Sequence, residues 1–428
     1  MSEEMVKFKF SKASPSIIKV AGIGGGGCNA VNHMYESGIR DVEYIVCNTD
    51  AQALANSPVP TRIQLGVTLT EGRGAGNRPE MGEEAARENY EDIKKVLEGN
   101  TKMLFITVGM GGGTGTGGAP VVAKLAHDLG ILTIAVVTIP SPAEGKKRYN
   151  QALEGIIKLS EYTDSMLIVS NQRLHSIYGD LPARQAFKLA DDIVKTAVKG
   201  VAEIITLHGN INIDFADVYT VMHDSKVFIM GTGYASGPDR AMNAVKMALL
   251  SPLLDNNSIE GTKNILLNII SGTEEITIGE IGEIIEYLQR EAGQEADIIW
   301  GNGYDDSLGE NISVTILCTG FKNAPTVQHY KERSLEAELK NRVEEEKERE
   351  KDAGQGAESY FVELEIDSAS EEKPVYQPAP SPPQEKKQPP VRQTRTKPAK
   401  QLDGGNDSLD NWFYRKFGKL FEDDDQSV

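Results

Sequence analysis

The 428-residue sequence predicts an α/β protein: a parallel sheet, one long helix, a second α/β half, and a polar tail. Three observations predict it. Short apolar runs alternate with helix-length segments, the pattern of parallel strands covered on both faces. Two glycine-rich loops stand where a strand turns into a helix. The composition also breaks after Phe321, where charged and proline-rich stretches replace the glycine-rich body; only 5 of the 42 glycines lie beyond residue 323.

Residues 17–22 (IIKVAG) form the first expected strand, and 30–37 begin a helix. Residues 42–47 (VEYIVC) give a second strand, ending at Asn48-Thr49-Asp50, and the charged segment 82–98 is helical. Strands at 103–108, 132–138 and 165–170 alternate with helices at 119–129 and 143–162. Residues 181–206 carry Ala, Ile and Val at helical spacing over one long run. Beyond it, strands at 227–231, 264–271 and 313–318 with helices at 238–250 and 277–292 make the second half. Residues 331–352 are almost all charged helix formers without an apolar face. Residues 374–398 hold eight prolines and read as linker, and 409–421 (LDNWFYRKFGKLF) form an apolar island of the kind that docks on a partner.

Forty-five basic against sixty-three acidic residues leave a net charge of −18. That balance argues against general nucleic-acid binding and against adsorption to anionic lipid. Three cysteines without a CxxC pair fit a reducing cytoplasm better than a disulfide scaffold or a zinc site. The opening MSEEMVKFKFSK lacks a secretory pattern, and no run nears the roughly 18 apolar residues of a spanning helix.

Residues 22–27, GIGGGG, satisfy G-x-G-x-x-G through Gly22, Gly24 and Gly27. Glycine permits the tight turn, and bare N–H groups at a helix start bind phosphate oxygens. A closely packed turn without a ligand is the plain alternative. A Rossmann-type NAD(P) oxidoreductase is another, with Asp41 or Glu43 near the distance of a ribose contact. The second loop, 109–118 (GMGGGTGTGG), has seven glycines in ten residues, and Thr114 and Thr116 add hydroxyls for phosphate or magnesium-bound water. Two such loops exceed what a simple dinucleotide domain requires. The chain also lacks G-x-x-x-x-G-K-[ST], which excludes a P-loop NTPase.

GGGTGTG at 111–117 resembles the signature of the tubulin/FtsZ superfamily of GTPases, and the bacterial FtsZ branch most closely. GIGGGGCNAVNHM at 22–34, NTDAQAL at 48–54, EGKKR at 144–148 and NINIDFADVYTVM at 210–222 extend the resemblance, in order, across 17–321. It implies that family's fold, with a mixed sheet in the second half. The implied layout is a disordered arm at 1–16, a GTP-binding domain at 17–180, a central helix at 181–209, a C-terminal domain at 210–323, a linker at 324–400 and a docking peptide at 401–428.

The resemblance implies GTP/GDP contacts at Gly25, Gly26, Gly27, Cys28 and Asn29, at Ala75 and Gly76, and at Gly115, Thr116 and Gly117. Glu144 and Arg148 match ribose and phosphate contacts; Asn171, Phe187 and Asp192 match the guanine site. Phe187 would stack on the base, and Asp192 would accept from guanine N1–H and N2–H. Without the family, a core Phe and a helix-surface Asp are the readings to prefer. Asn212, Asp214 and Asp217 match a catalytic loop that completes the site of the next subunit in a head-to-tail filament, with Mg²⁺ offsetting charge and a monovalent cation such as K⁺ as a further candidate. Spacing alone puts Asp214 and Asp217 on one helix face, or makes them an N-cap and an acidic first turn; the two are compatible with catalysis. The implied setting is a cytoplasmic filament concentrated at the midcell division site.

The chain departs from the family at Pro140-Ser141-Pro142, before Glu144, and at Asp191, where Asn is common. Cys28 stands at a helix start, where a thiol becomes reactive and nucleotide would shield it, unless it is a small buried filler. The tail peptide lacks the family's proline. Leu409, Trp412, Phe413, Arg415, Lys416 and Phe417 nevertheless suit docking on a membrane-tethering division adaptor such as FtsA. No direct membrane insertion is expected. A non-hydrolysing filament protein of the same fold remains an alternative that Asn212, Asp214 and Asp217 speak against.

Overall fold

The computed structural model describes residues 16–39, 41–172, 182–206, 209–250 and 259–321, without the side chains of 183, 184, 186 and 187. All of these belong to the first of two compact units, Met1–Asn341. The tail residues Leu409, Trp412, Phe413, Arg415, Lys416 and Phe417, the linker, and the arm up to residue 15 lie outside the described residues.

In chain order, β1 (Ile18–Ile23) runs into α1 (Gly24–Ser37), and β2 (Val42–Asn48) into α2 (Ala51–Ala55). After β3 (Thr61–Gln64) come α3 (Val67–Thr70), α4 (Pro79–Glu88) and α5 (Tyr90–Leu97). β4 (Met103–Gly109) enters α6 (Thr114–Asp128); β5 (Leu132–Ile139) leads through a 3-10 turn, Pro142–Glu144, into α7 (Lys146–Ser160) and β6 (Ser165–Ser170). The long α8 (Ala183–Thr206) precedes α9 (Phe215–Met222), β7 (Lys226–Ala235), α10 (Arg240–Leu249), β8 (Asn264–Ser271), α11 (Ile278–Ala292), β9 (Asp297–Tyr304) and β10 (Ile312–Thr319).

The strands form one sheet in the order β3-β2-β1-β4-β5-β6-β7-β10-β8-β9. From β3 to β6 all pairings are parallel, whereas β10 runs antiparallel to both β7 and β8. The apolar run MLFITV owes its continuity to its place in the sheet: Met103 to Val108 are buried, and both α1 and α6 pack against this strand. Burying one such side chain stabilises the fold by about 1.5–3 kcal/mol. Strand order reverses at β1, which lies between β2 and β4. That reversal opens a crevice beyond the strand ends, the usual ligand position in an open α/β sheet.

The helix starts at the glycine loops differ from expectation. α1 begins at Gly24 rather than residue 30, and α6 at Thr114 rather than 119, so the glycine loops are wound into first helical turns. The expected helix at 82–98 starts at Pro79 and breaks at Asn89, whose Oδ1 accepts from the Gly66 N–H (2.9 Å) and whose Nδ2 donates to Asp92 (3.0 Å).

Candidate nucleotide site and catalytic loop

β1 and β4 pair in register, Ile23 beside Val108, so both glycine loops emerge side by side. Some of their glycines hold the loops together. A Cβ on Gly27 would lie 2.2 Å from Thr107 O, and one on Gly24, at φ +72°, 2.7 Å from Gly115 N. Gly25 is different: it is exposed, has no positive φ, and a Cβ there would meet nothing within 4 Å. Neither α1 nor α6 carries a side-chain cap. Two neighbouring helix starts thus present uncapped N–H groups at one crevice, a strong setting for phosphate. Gly26 and Asn29 are exposed on the same lip.

The signature loop divides its work differently from expectation. Thr114 Oγ1 pairs with Thr49 Oγ1 (2.6 Å), and Thr116 Oγ1 accepts from Gly111 N–H (2.9 Å); both threonines are buried. Those hydroxyls stabilise loops rather than face solvent. Gly117 donates its N–H to Gly113 O (3.0 Å), and its missing side chain admits α4, since a Cβ would lie 1.8 Å from Pro79 O. Gly115 is likewise a contact glycine, with Val108 Cγ2 2.8 Å from its would-be Cβ. Ala75 is buried against the loop, 2.8 Å from the position of a Cβ on Gly113, and Gly76 follows in a left-handed conformation (φ +58°).

The burial of Cys28 decides between its two readings. Its side chain turns inward, with Sγ 3.5 Å from the carbonyls of Gly22 and Cys47, and burial pushes the thiol up to about 12. Low-dielectric surroundings outweigh the helix start, so this is the buried filler rather than a reactive thiol. Only its backbone remains available to a ligand.

On the other side of the crevice, Glu144 gathers three elements. Its Oε1 accepts from Ser141 N–H (2.9 Å) and Asn171 Nδ2 (3.1 Å), and Arg148 lies 3.7 Å from Oε2. Ser141 and Glu144 form a capping box, so the departing Pro140-Ser141-Pro142 segment fixes Glu144 at the end of β5. Arg148 abuts the signature loop; a Cβ on Gly111 would lie 2.6 Å from its carbonyl oxygen. Asp192, on α8, is bonded through Oδ1 to His33 Nε2 (2.7 Å) and Lys195 Nζ (2.7 Å). Phe187 lies on the same helix, but its side chain is outside the described residues.

The loop expected to be catalytic, Asn212 to Asp217, stands elsewhere. Asp214 is not in the helix but caps it: its Oδ1 accepts from Asp217 N–H (3.0 Å), and Asp217 Oδ2 accepts from Asp214 N–H (3.1 Å). This reciprocal box fixes both carboxylates at the start of α9 and engages one oxygen of each. Asn212 Oδ1 accepts from Gly209 N–H (2.7 Å). Asn302, Tyr304 and Glu275, which the sequence did not flag, hold the loop down. Ile211 pairs with Asn302 of β9 through its N–H (3.0 Å to Oδ1) and its carbonyl (3.0 Å), and Asn210 donates to Tyr304 (2.7 Å) and Glu275 (3.3 Å).

These two groups occupy opposite poles. Glu144 and Asn171 follow the ends of β5 and β6, whereas His223, ending α9, reaches Asp164 (2.6 Å), which precedes β6. Between them, α8 alone spans about 36 Å at 1.5 Å per residue. One chain therefore cannot bring Asp214 to its own glycine crevice.

Two family models match the chain: the Tubulin/FtsZ family GTPase domain over residues 17–179, and the FtsZ family C-terminal domain over 227–322. A cell division protein FtsZ from Porphyromonas gingivalis is 47% identical over 325 residues, 75% of this chain and 71% of its own length. Its counterpart from Neisseria gonorrhoeae is 45% identical over 330 residues, covering 76% and 84%. Among solved structures, an empty FtsZ dimer from M. jannaschii superposes with TM-score 0.66 at 40% identity, covering 72% of this chain and 89% of that one. A glycine-lined crevice at the sheet's switch point agrees with these matches, and the chain belongs to the tubulin/FtsZ family of GTPases.

Proposed function

We propose that this chain is a self-assembling cytoskeletal GTPase of bacterial division, polymerising head to tail so that GTP bound by one subunit is hydrolysed by the catalytic loop of the next. The observation that carries this reading is the placement of nucleotide loops and catalytic carboxylates at opposite poles of one chain. A heterologous contact of that kind builds open filaments.

The uncapped N–H groups of α1 and α6 hold the phosphates; Glu144 and Arg148 fix the ribose side; Asn171, Phe187 and Asp192 frame the guanine. From the neighbouring subunit, the carboxylate oxygens of Asp214 and Asp217 not used in the capping box orient a water in line with the γ-phosphorus. The water oxygen bonds to phosphorus as the bond to the β-phosphate oxygen breaks, leaving GDP and inorganic phosphate. Among the described residues, no group of three or more His, Cys, Asp or Glu could hold a metal, and the Thr114 and Thr116 hydroxyls are already bonded. A Mg²⁺ accompanying GTP would offset the charge of the phosphates.

The 409–417 peptide is proposed to tether filaments to a membrane-bound adaptor at midcell; no described helix is long and apolar enough to cross a membrane. The NAD(P) reading has no support. Glu43 is paired with Lys19 (3.1 Å), and the family match is to a GTPase.

Sedimentation with GTP, GDP and a non-hydrolysable GTP analogue, with phosphate release measured alongside, tests the proposal. Pelleting with GTP and the analogue, and a rate per subunit that climbs with protein concentration, are expected. A dilute monomer with full specific activity would overturn it.

A further inference from the structure

Asp192 is the acceptor through which guanine is read in the function proposed above, and two neighbouring side chains fix its carboxylate. Its carboxylate is mostly buried and bonded on one side only. Oδ1 takes both His33 Nε2 and Lys195 Nζ at 2.7 Å, and Lys195 Nζ lies 3.5 Å from the His33 ring. Among the described residues, Oδ2 carries no bond. The partners come from two elements that pack together: Lys195 is one turn along α8, while His33 sits on α1, 159 residues away in sequence.

The position of His33 on α1 matters. It lies four residues after Asn29, so the two share a face of the helix whose first turn forms the glycine crevice. Asn29 is exposed on that lip. A bond from His33 therefore ties the base-reading carboxylate on α8 to the helix that holds the phosphates. Burial raises the Asp192 carboxyl, but hydrogen bonds from Lys195 and His33, with their charges, bring it below the ordinary carboxylate value. The group stays an anionic acceptor although Asp191, beside it, is raised to about 6 by burial, with the Asp192 charge adding to the rise against His33.

We propose that His33 is a positioning residue for base selection: with Lys195 it locks Oδ1 of Asp192, leaving Oδ2 to accept from guanine N1–H and the 2-amino group. Hydrogen-bond polarity requires the His33 proton on Nε2. A carboxylate freed from this lock can rotate, and its preference for the 2-amino group falls.

The readout is the ratio of GTP to ITP affinity, because inosine keeps N1–H and lacks only the 2-amino group. The His33→Leu variant is expected to lower that ratio about fivefold, the worth of one hydrogen bond near 1 kcal/mol. His33→Gln keeps a side-chain donor and is expected to recover most of it. A general folding defect would weaken both nucleotides equally and leave the ratio unchanged. Asp192→Ala separates the two levels of the argument. If it leaves the ratio intact, the base-site reading itself fails. If Asp192→Ala collapses the ratio while His33→Leu preserves it, only the role of His33 is overturned.

Discussion

Replacing Gly25 and Gly27 in turn with alanine separates ligand space from packing space within three residues of one loop. Gly25 has open surroundings and a backbone any residue can adopt, so nothing in the protein itself requires glycine there. In the first turn of α1, Gly25→Ala should leave the apo protein as stable as before, or raise its stability by up to about 1 kcal/mol. Its methyl group would stand where the phosphates approach. Losing even one charge-assisted backbone hydrogen bond, worth about 1.5–3 kcal/mol, cuts GTP affinity by about tenfold to a hundredfold. Gly27→Ala has the opposite profile, because its Cβ would lie 2.2 Å from Thr107 O and 3.2 Å from Gly22 C, both backbone atoms. Overpacking of that kind costs about 1–3 kcal/mol, so the apo melting temperature drops before any ligand is added. Thermal unfolding without nucleotide, paired with titration of a fluorescent GTP analogue, reads both effects. Wild-type affinity in Gly25→Ala would refute phosphate approach at this turn.

Three more expectations follow from the geometry. Asp217→Asn keeps an oxygen for the Asp214 N–H and so keeps the capping box; it should retain stability and GTP binding while turnover in the assembled state falls about a hundredfold, measured as phosphate release. Arg240, buried, donates to Glu280 (2.8 Å), and this bond holds Glu280 at about 2, below its ordinary 4.5. The stability from that pair is present above pH 4.5 and lost as pH falls toward 2; Glu280→Gln should flatten this limb of an acid-unfolding curve and cost about 1–3 kcal/mol at neutral pH. Cys28, Cys47 and Cys318 are all buried, with thiols raised mainly by burial, so maleimide labelling of the folded protein at pH 7 should be negligible with or without nucleotide.

The strands were the most legible part of the sequence. Residues 264–271 match β8 end to end, because the paired Ile and Leu residues of NILLNIIS mark a strand buried along nearly its whole length. β9 escaped notice because DIIWGNGY contains two glycines, and one of them, Gly301, makes room for the catalytic loop: its Cβ would lie 2.9 Å from Ile211 O. The starts of α1 and α6 were hidden for a related reason. Glycine is a poor helix former, yet the crevice needs bare helical turns, and this requirement prevails over propensity. At the site, the motifs located Glu144, Asn171 and Asp214, but not what each one holds. The Asn171–Glu144 bond and the His33–Asp192 bond join residues far apart in sequence, and spacing carries no trace of them. Spacing did offer a capped helix for Asp214 and Asp217, and the structure shows a cap that engages one carboxylate oxygen of each.

A site built from two subunits is tested by mixing two disabled variants. Asp217→Asn retains a nucleotide crevice without a competent catalytic loop; Gly25→Ala retains the loop with a crippled crevice. Each alone should release little phosphate. Mixed in equal amounts, under conditions where both enter the pellet, they should regain turnover, because GTP held by one then meets the loop of the other. A co-pelleting mixture no more active than its components would contradict a site built from two subunits.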